Sequence, residues 1–245
     1  MFLRSNTSIS IVLNKVMAPS KKKSGSTARS KDNPSRKKLK ASSARWMERQ
    51  QKDPYVKAAN QHGYRSRAAY KLIELDKKFK IFRPGQTVLD LGAAPGSWTQ
   101  VAVECVQPKP DGSSGVISVD VSPITPIRGA ITMEMDFLSS GAASEISKIL
   151  PRQLDVVLSD MAAPSTGHRQ TDALRVNVLC ETALEFAMEV LAPGGTFVAK
   201  VLKIGAEQHL VEQMKMNFKL VRHAKPPASR KESSESYVVA LGYRL

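Results

Sequence analysis

The chain reads as an α/β domain: a mostly parallel Rossmann-like sheet with helices on both faces and an antiparallel final strand. Three observations predict it. From about residue 65 onward, short apolar runs rich in β-branched residues alternate with segments of helical period, and such alternation builds a parallel sheet covered by helices. A glycine-rich turn, DLGAAPGSW, follows the first of these runs and opens a helical segment, the arrangement that makes a ligand crevice in a doubly wound sheet. The last two strand-like runs have only a polar, proline-containing segment between them, so the second is free to return antiparallel to the first.

The elements follow in order. Low-complexity SKKKSGSTARSKDNPSRKK gives way near Ala41 to a mixed apolar pattern, so residues 1–40 are expected to be a basic, disordered arm and 41–245 one catalytic domain, with order beginning between residues 41 and 55. From Arg65 to Phe79, Ala68, Ala69, Leu72, Ile73 and Leu75 recur at helical spacing, and the RPGQ run at residues 83–86 halts that helix before the buried strand TVLDL. GVISVD, AITMEM, LDVVLS, GGTFVAKV, FKLVRHA and SYVVALGY read as further strands. Helical period recurs over residues 97–106, 142–150, 172–192 and 206–217. KPPASRKESSE, between the last two strands, is long enough to be a mobile substrate loop.

Composition bounds the function. With 245 residues, 42% of them hydrophobic, the chain supports one packed domain and a tail rather than two domains. The 37 basic residues against 22 acidic give a net charge of +15. Residues 1–40 hold eleven basic residues against Asp32 alone, which accounts for ten of those charges. Such an arm is either a solvated tail or a polyanion contact acting through counterion release. Cys105 and Cys180 show no paired spacing, and the four histidines are scattered, so no disulfide framework or metal site is expected and a reducing compartment fits. No apolar stretch reaches the ~20 residues needed to span a bilayer. Residues 1–16 loosely resemble a mitochondrial presequence, with the matrix as the implied location; the alternative, which is preferred, makes Met17 the true start and the protein a monomer of the bacterial cytoplasm.

In VLDLGAAPGSW, Gly92 and Gly96 let the backbone turn tightly and approach a ligand. The turn lacks the third glycine of a dinucleotide fingerprint, and Pro95 removes an N–H that a pyrophosphate would use. A ligand without phosphates suits it better. Asp120, closing the next strand, can take two ribose hydroxyls, and Asp136, closing the one after, can take an adenine amino group. With Asp90 at the carboxyl end of the first strand, three acids at successive strand ends after this turn describe an S-adenosylmethionine site. Trp98 packs either on that ligand or in the core.

Four further residues stand at element boundaries: Lys71 in RAAYKL, Asp160 in VVLSDMAAP, Lys200 in GGTFVAKVL and Glu235 in SSESYVV. Two lysines and two carboxylates so placed suit a site that deprotonates a sugar hydroxyl. Arg65, Arg67, Arg230 and Lys231 are candidate phosphate contacts, and His168 and Arg169 line the entrance or simply form a polar loop.

With DLGAAPGSW, Asp120, Asp136, SDMAA, FVAKV and SRKESSE in hand, the chain resembles the RlmE/FtsJ family of 23S rRNA uridine 2'-O-methyltransferases, in its alphaproteobacterial form, from about Ala41 to the C-terminus. The resemblance implies a class I methyltransferase fold and S-adenosylmethionine as cofactor, with no metal. It implies as substrate a uridine in the A-loop of the assembled large ribosomal subunit. The family's Lys-Asp-Lys-Glu tetrad falls on Lys71, Asp160, Lys200 and Glu235, and its cofactor contacts on Gly96, Trp98, Asp120, Asp136 and Asp160. This chain departs from the pattern at Ser97, where the family has a second glycine, and at Leu202-Lys203-Ile204 after the second lysine.

A ribose 2'-hydroxyl attacks a sulfonium methyl only as its proton leaves, so the site must align the two and accept one proton. Lys200 is the candidate acceptor. It must be neutral to serve; burial and Lys71 favour that form, while Asp160 and Glu235 oppose it. Lys71 polarises the hydroxyl or holds a phosphate, and Glu235 orients an ammonium group. Rival chemistries lack their residues. A dehydrogenase would carry the full dinucleotide fingerprint, a cytosine-C5 enzyme a strand-end cysteine, and a base-amino enzyme an Asn/Asp-Pro-Pro-aromatic run where this chain has SDMA. A ribosome-assembly factor with secondary methylation remains the reading from another class.

Overall fold

A computed structural model describes residues 50–150, 153–202 and 208–244. The expected basic arm, the start of order up to residue 49 and the departure at Lys203-Ile204 lie outside these residues. Among those described, a seven-stranded sheet runs in the order β3-β2-β1-β4-β5-β7-β6. Its strands are β1 (Thr87–Leu91), β2 (Gly115–Asp120), β3 (Ala130–Glu134), β4 (Leu154–Ser159), β5 (Leu191–Leu202), β6 (Phe218–Ala224) and β7 (Glu235–Tyr243). The first five pair in parallel, and β7 inserts antiparallel between β5 and β6. The expected antiparallel final strand is therefore present, as a central strand rather than an edge.

The helices are α1 (Pro54–His62), α2 (Ala68–Phe79), α3 (Ser97–Val106), α4 (Ala142–Ile149), α5 (Arg169–Val190) and α6 (Gln208–Asn217). Strand alternation distributes them over two faces. Val88, Val116, Val156, Leu158, Val198, Tyr237 and Val239 pack with α2 and α3 through Leu72, Leu75, Trp98 and Val101. Leu89, Leu91, Val119, Val157, Phe197 and Val238 face the other way, against Ile146 of α4, Cys180 to Val190 of α5 and Met214 of α6. All five residues of β1 are buried, as a strand covered on both sides requires.

Three helix starts differ from the sequence expectation, among them α5, which begins at Arg169 rather than at residue 172. α2 begins at Ala68 rather than at Arg65. α1 was not expected, although its signal is plain: Asp53 accepts the Tyr55 N–H at 3.0 Å as N-cap and Pro54 occupies the first turn, the preferred chemistry of a helix start.

The switch in strand order falls between β1 and β4, because the chain leaves β1 for β2 and β3 on one side and restarts at β4 on the other. Ligand crevices form at the carboxyl ends of strands at such a point. The Asp160 N–H donates to Leu91 O at 3.1 Å, and the Gly92 N–H to Val119 O at 2.9 Å, so the three adjoining strand ends are tied together where the crevice opens.

Candidate active site

The crevice holds a cavity of about 270 Å³ whose lining includes Gly92, Ala94, Asp120, Asp136, Asp160 and Met161. Gly92 has φ +74°, and a Cβ there would lie 2.7 Å from both Cα and N of Met161. The glycine is thus required twice, for a left-handed turn and for the close approach of the segment after β4. Gly96, at φ +106°, caps α3; a Cβ would stand 2.6 Å from Arg65 Nη1 and 2.8 Å from Ile127 Cδ1.

Asp120 steadies the turn as well as facing the cavity. Its Oδ2 accepts the Ala94 N–H at 2.9 Å and its Oδ1 the Ser122 N–H at 2.8 Å, and each oxygen keeps a lone pair for a ligand hydroxyl. β3 ends at Glu134, so Asp136 sits two residues beyond the strand and not at its last position; Oδ1 accepts the Leu138 N–H at 2.9 Å while the residue lines the cavity.

For Trp98 the structure shows the core alternative. Its ring is buried among Ala69, Leu72 and Val101, stands 5.5 Å from the Tyr237 ring, and donates Nε1–H to Ala68 O at 2.9 Å. The indole belongs to the core. Trp98 is not among the residues lining the cavity, and its backbone N–H lies in the first turn of α3, where amides have no intrahelical acceptor.

Beneath the turn lies Asp90, the first of the three strand-end acids expected around the nucleoside site. Asp90 is fully buried, accepts the Thr99 hydroxyl at 2.7 Å on Oδ2, and has no hydrogen-bond partner on Oδ1. Burial, with smaller contributions from Asp160 and Asp120 and against the Thr99 hydrogen bond, pushes its pKa up to about 7.

The four tetrad residues come together, and strand register explains how. Lys200 pairs directly with Tyr237, and Leu202 with Glu235, across the antiparallel β5–β7 ladder. Asp160 leaves β4 next to β5, and Lys71 reaches in from α2. Lys200 Nζ donates to Asp160 O at 2.6 Å and lies 3.2 Å from Asp160 Oδ1. Lys71 Nζ is 2.8 Å from each Glu235 oxygen. Ser229 Oγ–H donates to Glu235 Oε1 at 2.8 Å, fixing that carboxylate.

Tyr237, absent from the sequence-based list, joins the two pairs. Its hydroxyl donates to Asp160 Oδ1 at 3.0 Å, and Lys71 Nζ sits 5.8 Å from its ring centre. Burial, followed by the charges of Asp160 and Glu235, raises its pKa well above the ordinary phenol value, which keeps it a donor. The signal was period two: Glu235 and Tyr237 occupy one face of a strand.

Several supporting residues are placed otherwise than expected. Arg65 donates to Pro95 O at 2.7 Å and to Pro126 O at 3.2 Å, so it clamps the glycine turn. Arg67 donates to Ala228 O at 2.6 Å, pairs with Asp53 at 3.1 Å and packs over Tyr55. Neither guanidinium is set out for phosphate. The loop 225–234 is held to α2 instead of hanging free: the Ala228 N–H donates to Glu74 Oε2 at 2.7 Å, and Ala228 and Ser229 are buried. His168 is the N-cap of α5 and does not line the cavity.

Comparison with known proteins agrees with this architecture. The family model described as FtsJ-like methyltransferase matches residues 64–243. A protein of Paramagnetospirillum magneticum named ribosomal RNA large subunit methyltransferase E is 56% identical over 209 residues, covering 85% of this chain and 86% of its own length. A protein of the same name from Bartonella bacilliformis is 52% identical over 206 residues, covering 84% and 86%. Among solved structures, a Plasmodium falciparum protein described as a ribosomal RNA methyltransferase superposes with a TM-score of 0.64 at 29% identity, over 74% of this chain and 98% of that one. The match to the family model, spanning the glycine turn and all four tetrad residues, establishes that the chain belongs to the FtsJ-like methyltransferase family.

Proposed function

We propose that the protein transfers a methyl group from S-adenosylmethionine to the ribose 2'-hydroxyl of a uridine in the A-loop of large-subunit ribosomal RNA, with the assembled large subunit as substrate. The single observation that carries the reading is the Asp160–Lys200 and Lys71–Glu235 pairs, joined through Tyr237 beside the cavity that Asp160 lines. The names of the relatives support the RNA, and the A-loop uridine rests on the family resemblance.

The cavity fits the cofactor by its own chemistry. Gly92 lines it, Asp120 presents acceptors for ribose hydroxyls, and Asp136 presents one for an adenine amino group. The cofactor supplies an electrophilic methyl on a sulfonium centre.

Lys200 takes the proton of the attacking hydroxyl. Accepting that proton requires the free amine, with two N–H bonds and one lone pair. Asp160 O and Oδ1 offer an acceptor for each N–H, which turns the lone pair away from Asp160. The Tyr237 hydroxyl holds the Asp160 carboxylate in that orientation, as a partner one step removed fixes an active group. Lys71, held by Glu235, whose carboxylate Ser229 fixes in turn, stands as a fixed positive charge where the hydroxyl gives up its proton.

The test is turnover with methyl-labelled S-adenosylmethionine on unmodified large subunits, followed by alkaline hydrolysis of the RNA. A 2'-O-methyl group blocks cleavage of the adjoining phosphodiester, so label recovered in an alkali-resistant dinucleotide supports the reading. Label released as a mononucleotide would place the methyl on a base and refute it.

A further inference from the structure

The turn that carries Gly92 and Gly96 is held from two sides. Asp120 Oδ2 accepts the Ala94 N–H at 2.9 Å. The second hold comes from Arg65, in the connector between α1 and α2. Its Nη1 donates to Pro95 O at 2.7 Å and its Nη2 to Pro126 O at 3.2 Å. Pro95 lies in the turn after β1 and Pro126 in the loop after β2. One planar group therefore bridges the two segments that wall the crevice, which Gly92 and Ala94 line from the first and Asp120 and Val121 from the second.

A guanidinium suits this bridge. The two carbonyls belong to separate segments, and N–H groups on two nitrogens fixed in one plane reach both at once, whereas a lysine ammonium is a single point. Space is reserved for it. A Cβ at Gly96 would lie 2.6 Å from Arg65 Nη1, 2.8 Å from Ile127 Cδ1 and 3.3 Å from Ile124 Cγ2. The guanidinium and two isoleucines of the loop after β2 thus occupy the volume that a side chain at residue 96 would need.

Arg65 is in turn held by α3. Gln100 Oε1 accepts the Arg65 N–H at 2.9 Å, and Gln100 Nε2 donates to Gly63 O at 3.0 Å. Ser66 Oγ and Ser97 Oγ are 2.8 Å apart, and Trp98 Nε1 donates to Ala68 O at 2.9 Å. The connector is therefore fixed to the glycine turn and to the first turns of α3. Lys71 stands about one helical turn beyond Ala68 in α2, so the segment that clamps the glycine turn leads directly into the tetrad lysine.

We propose that Arg65 is a positioning residue for the cofactor: by bridging Pro95 O to Pro126 O it sets the separation of the two crevice walls, and with it the geometry in which Asp120 and the glycine turn meet the cofactor's nucleoside. The inference rests on the reading of the crevice as an S-adenosylmethionine site. Loss of this bridge weakens the cofactor and leaves RNA affinity unchanged, the reverse of what loss of a phosphate contact does.

Arg65→Gln and Arg65→Lys are compared with the unaltered chain. S-adenosylmethionine binding is followed by calorimetry without RNA, and methyl transfer to large ribosomal subunits from cells lacking the enzyme is followed at saturating cofactor between about 50 and 200 mM KCl. Both variants should bind the cofactor about tenfold more weakly, as when a group that orients a binding residue from one step back is lost. KM for the subunits should stay within about twofold, with an unchanged slope of log(kcat/KM) against log[salt]. Arg65→Lys keeps the charge and cannot span both carbonyls, so cofactor affinity restored by this variant overturns the bridge; it also decides the matter where Arg65→Gln does not fold. A lowered melting temperature with cofactor affinity intact overturns the proposal as well, since the two hydrogen bonds then serve stability alone. A raised subunit KM with a slope shallower by about one in Arg65→Gln marks a phosphate contact and overturns it too. If the unaltered chain binds no S-adenosylmethionine, the reading of the crevice itself fails, and the role of Arg65 with it.

Discussion

Replacing Lys200 with methionine removes one polar atom from the site while keeping a side chain of similar length. In the structure that atom is 2.6 Å from Asp160 O and 3.2 Å from Asp160 Oδ1. If it accepts the hydroxyl proton, its loss forfeits general-base catalysis, worth about 10²- to 10⁴-fold in kcat, or roughly 3–5 kcal/mol at about 1.4 kcal/mol per decade. Cofactor affinity should change by no more than about threefold, because Asp160 and Met161 line the cavity and Lys200 does not. Stability should fall by less than the ~3–5 kcal/mol of breaking a buried pair, since Asp160 keeps the Tyr237 hydroxyl and is 17% exposed. The assay is single-turnover transfer of a labelled methyl at saturating subunits, with cofactor binding followed by calorimetry. A rate within tenfold of the unaltered enzyme, or a loss found entirely in cofactor affinity, would refute the assignment of Lys200 as proton acceptor.

Tyr237→Phe keeps the ring against Trp98 and removes the 3.0 Å hydrogen bond to Asp160; it should cost about 1.5–3 kcal/mol in chemical-denaturation midpoints and lower kcat about tenfold with KM unchanged. Gly92→Ala forces a Cβ to 2.7 Å from Met161 backbone atoms at φ +74°; thermal melts should show a loss above about 3 kcal/mol, made of ~1–2 kcal/mol for the left-handed backbone and the rest from displacement of the Asp160 segment, with cofactor affinity lost as well. Asp90 has a folded pKa raised to about 7, so the folded state holds a proton there that the unfolded state releases near the ordinary carboxyl value. Stability should therefore decline as pH rises from about 4 to about 7 and level off above it. Asp90→Asn should flatten that stretch of the denaturation-midpoint profile.

The parts legible in sequence are those set by local pattern. The strand runs, DLGAAPGSW and the strand-end residues Asp120 and Asp160 follow from period, turn chemistry and position. Lys71, Lys200 and Glu235 were placed at element boundaries, yet their meeting depends on β7 inserting between β5 and β6, a register that no local signal carries. Tyr237 shares a strand face with Glu235, but the partner of its hydroxyl, Asp160, follows β4, far away in sequence. Long-range hydrogen bonds likewise decided Arg65 and Arg67, which read as exposed basic residues until Pro95, Ala228 and Asp53 are found beside them. Trp98 offered two environments, and the Ala68 carbonyl under its indole nitrogen selected the core. The start of α1, by contrast, is carried by Asp53-Pro54 alone.

The central claim, that this site methylates a ribose 2'-oxygen of large-subunit RNA through Lys200, is tested most directly by mapping. Unmodified large subunits are incubated with labelled S-adenosylmethionine and either the unaltered enzyme or Lys200→Met, and the labelled nucleotide is located. The account predicts label on the 2'-oxygen of one A-loop uridine with the unaltered enzyme and at least a hundredfold slower labelling with the variant. Label on a base, or equal labelling by both proteins, would contradict it.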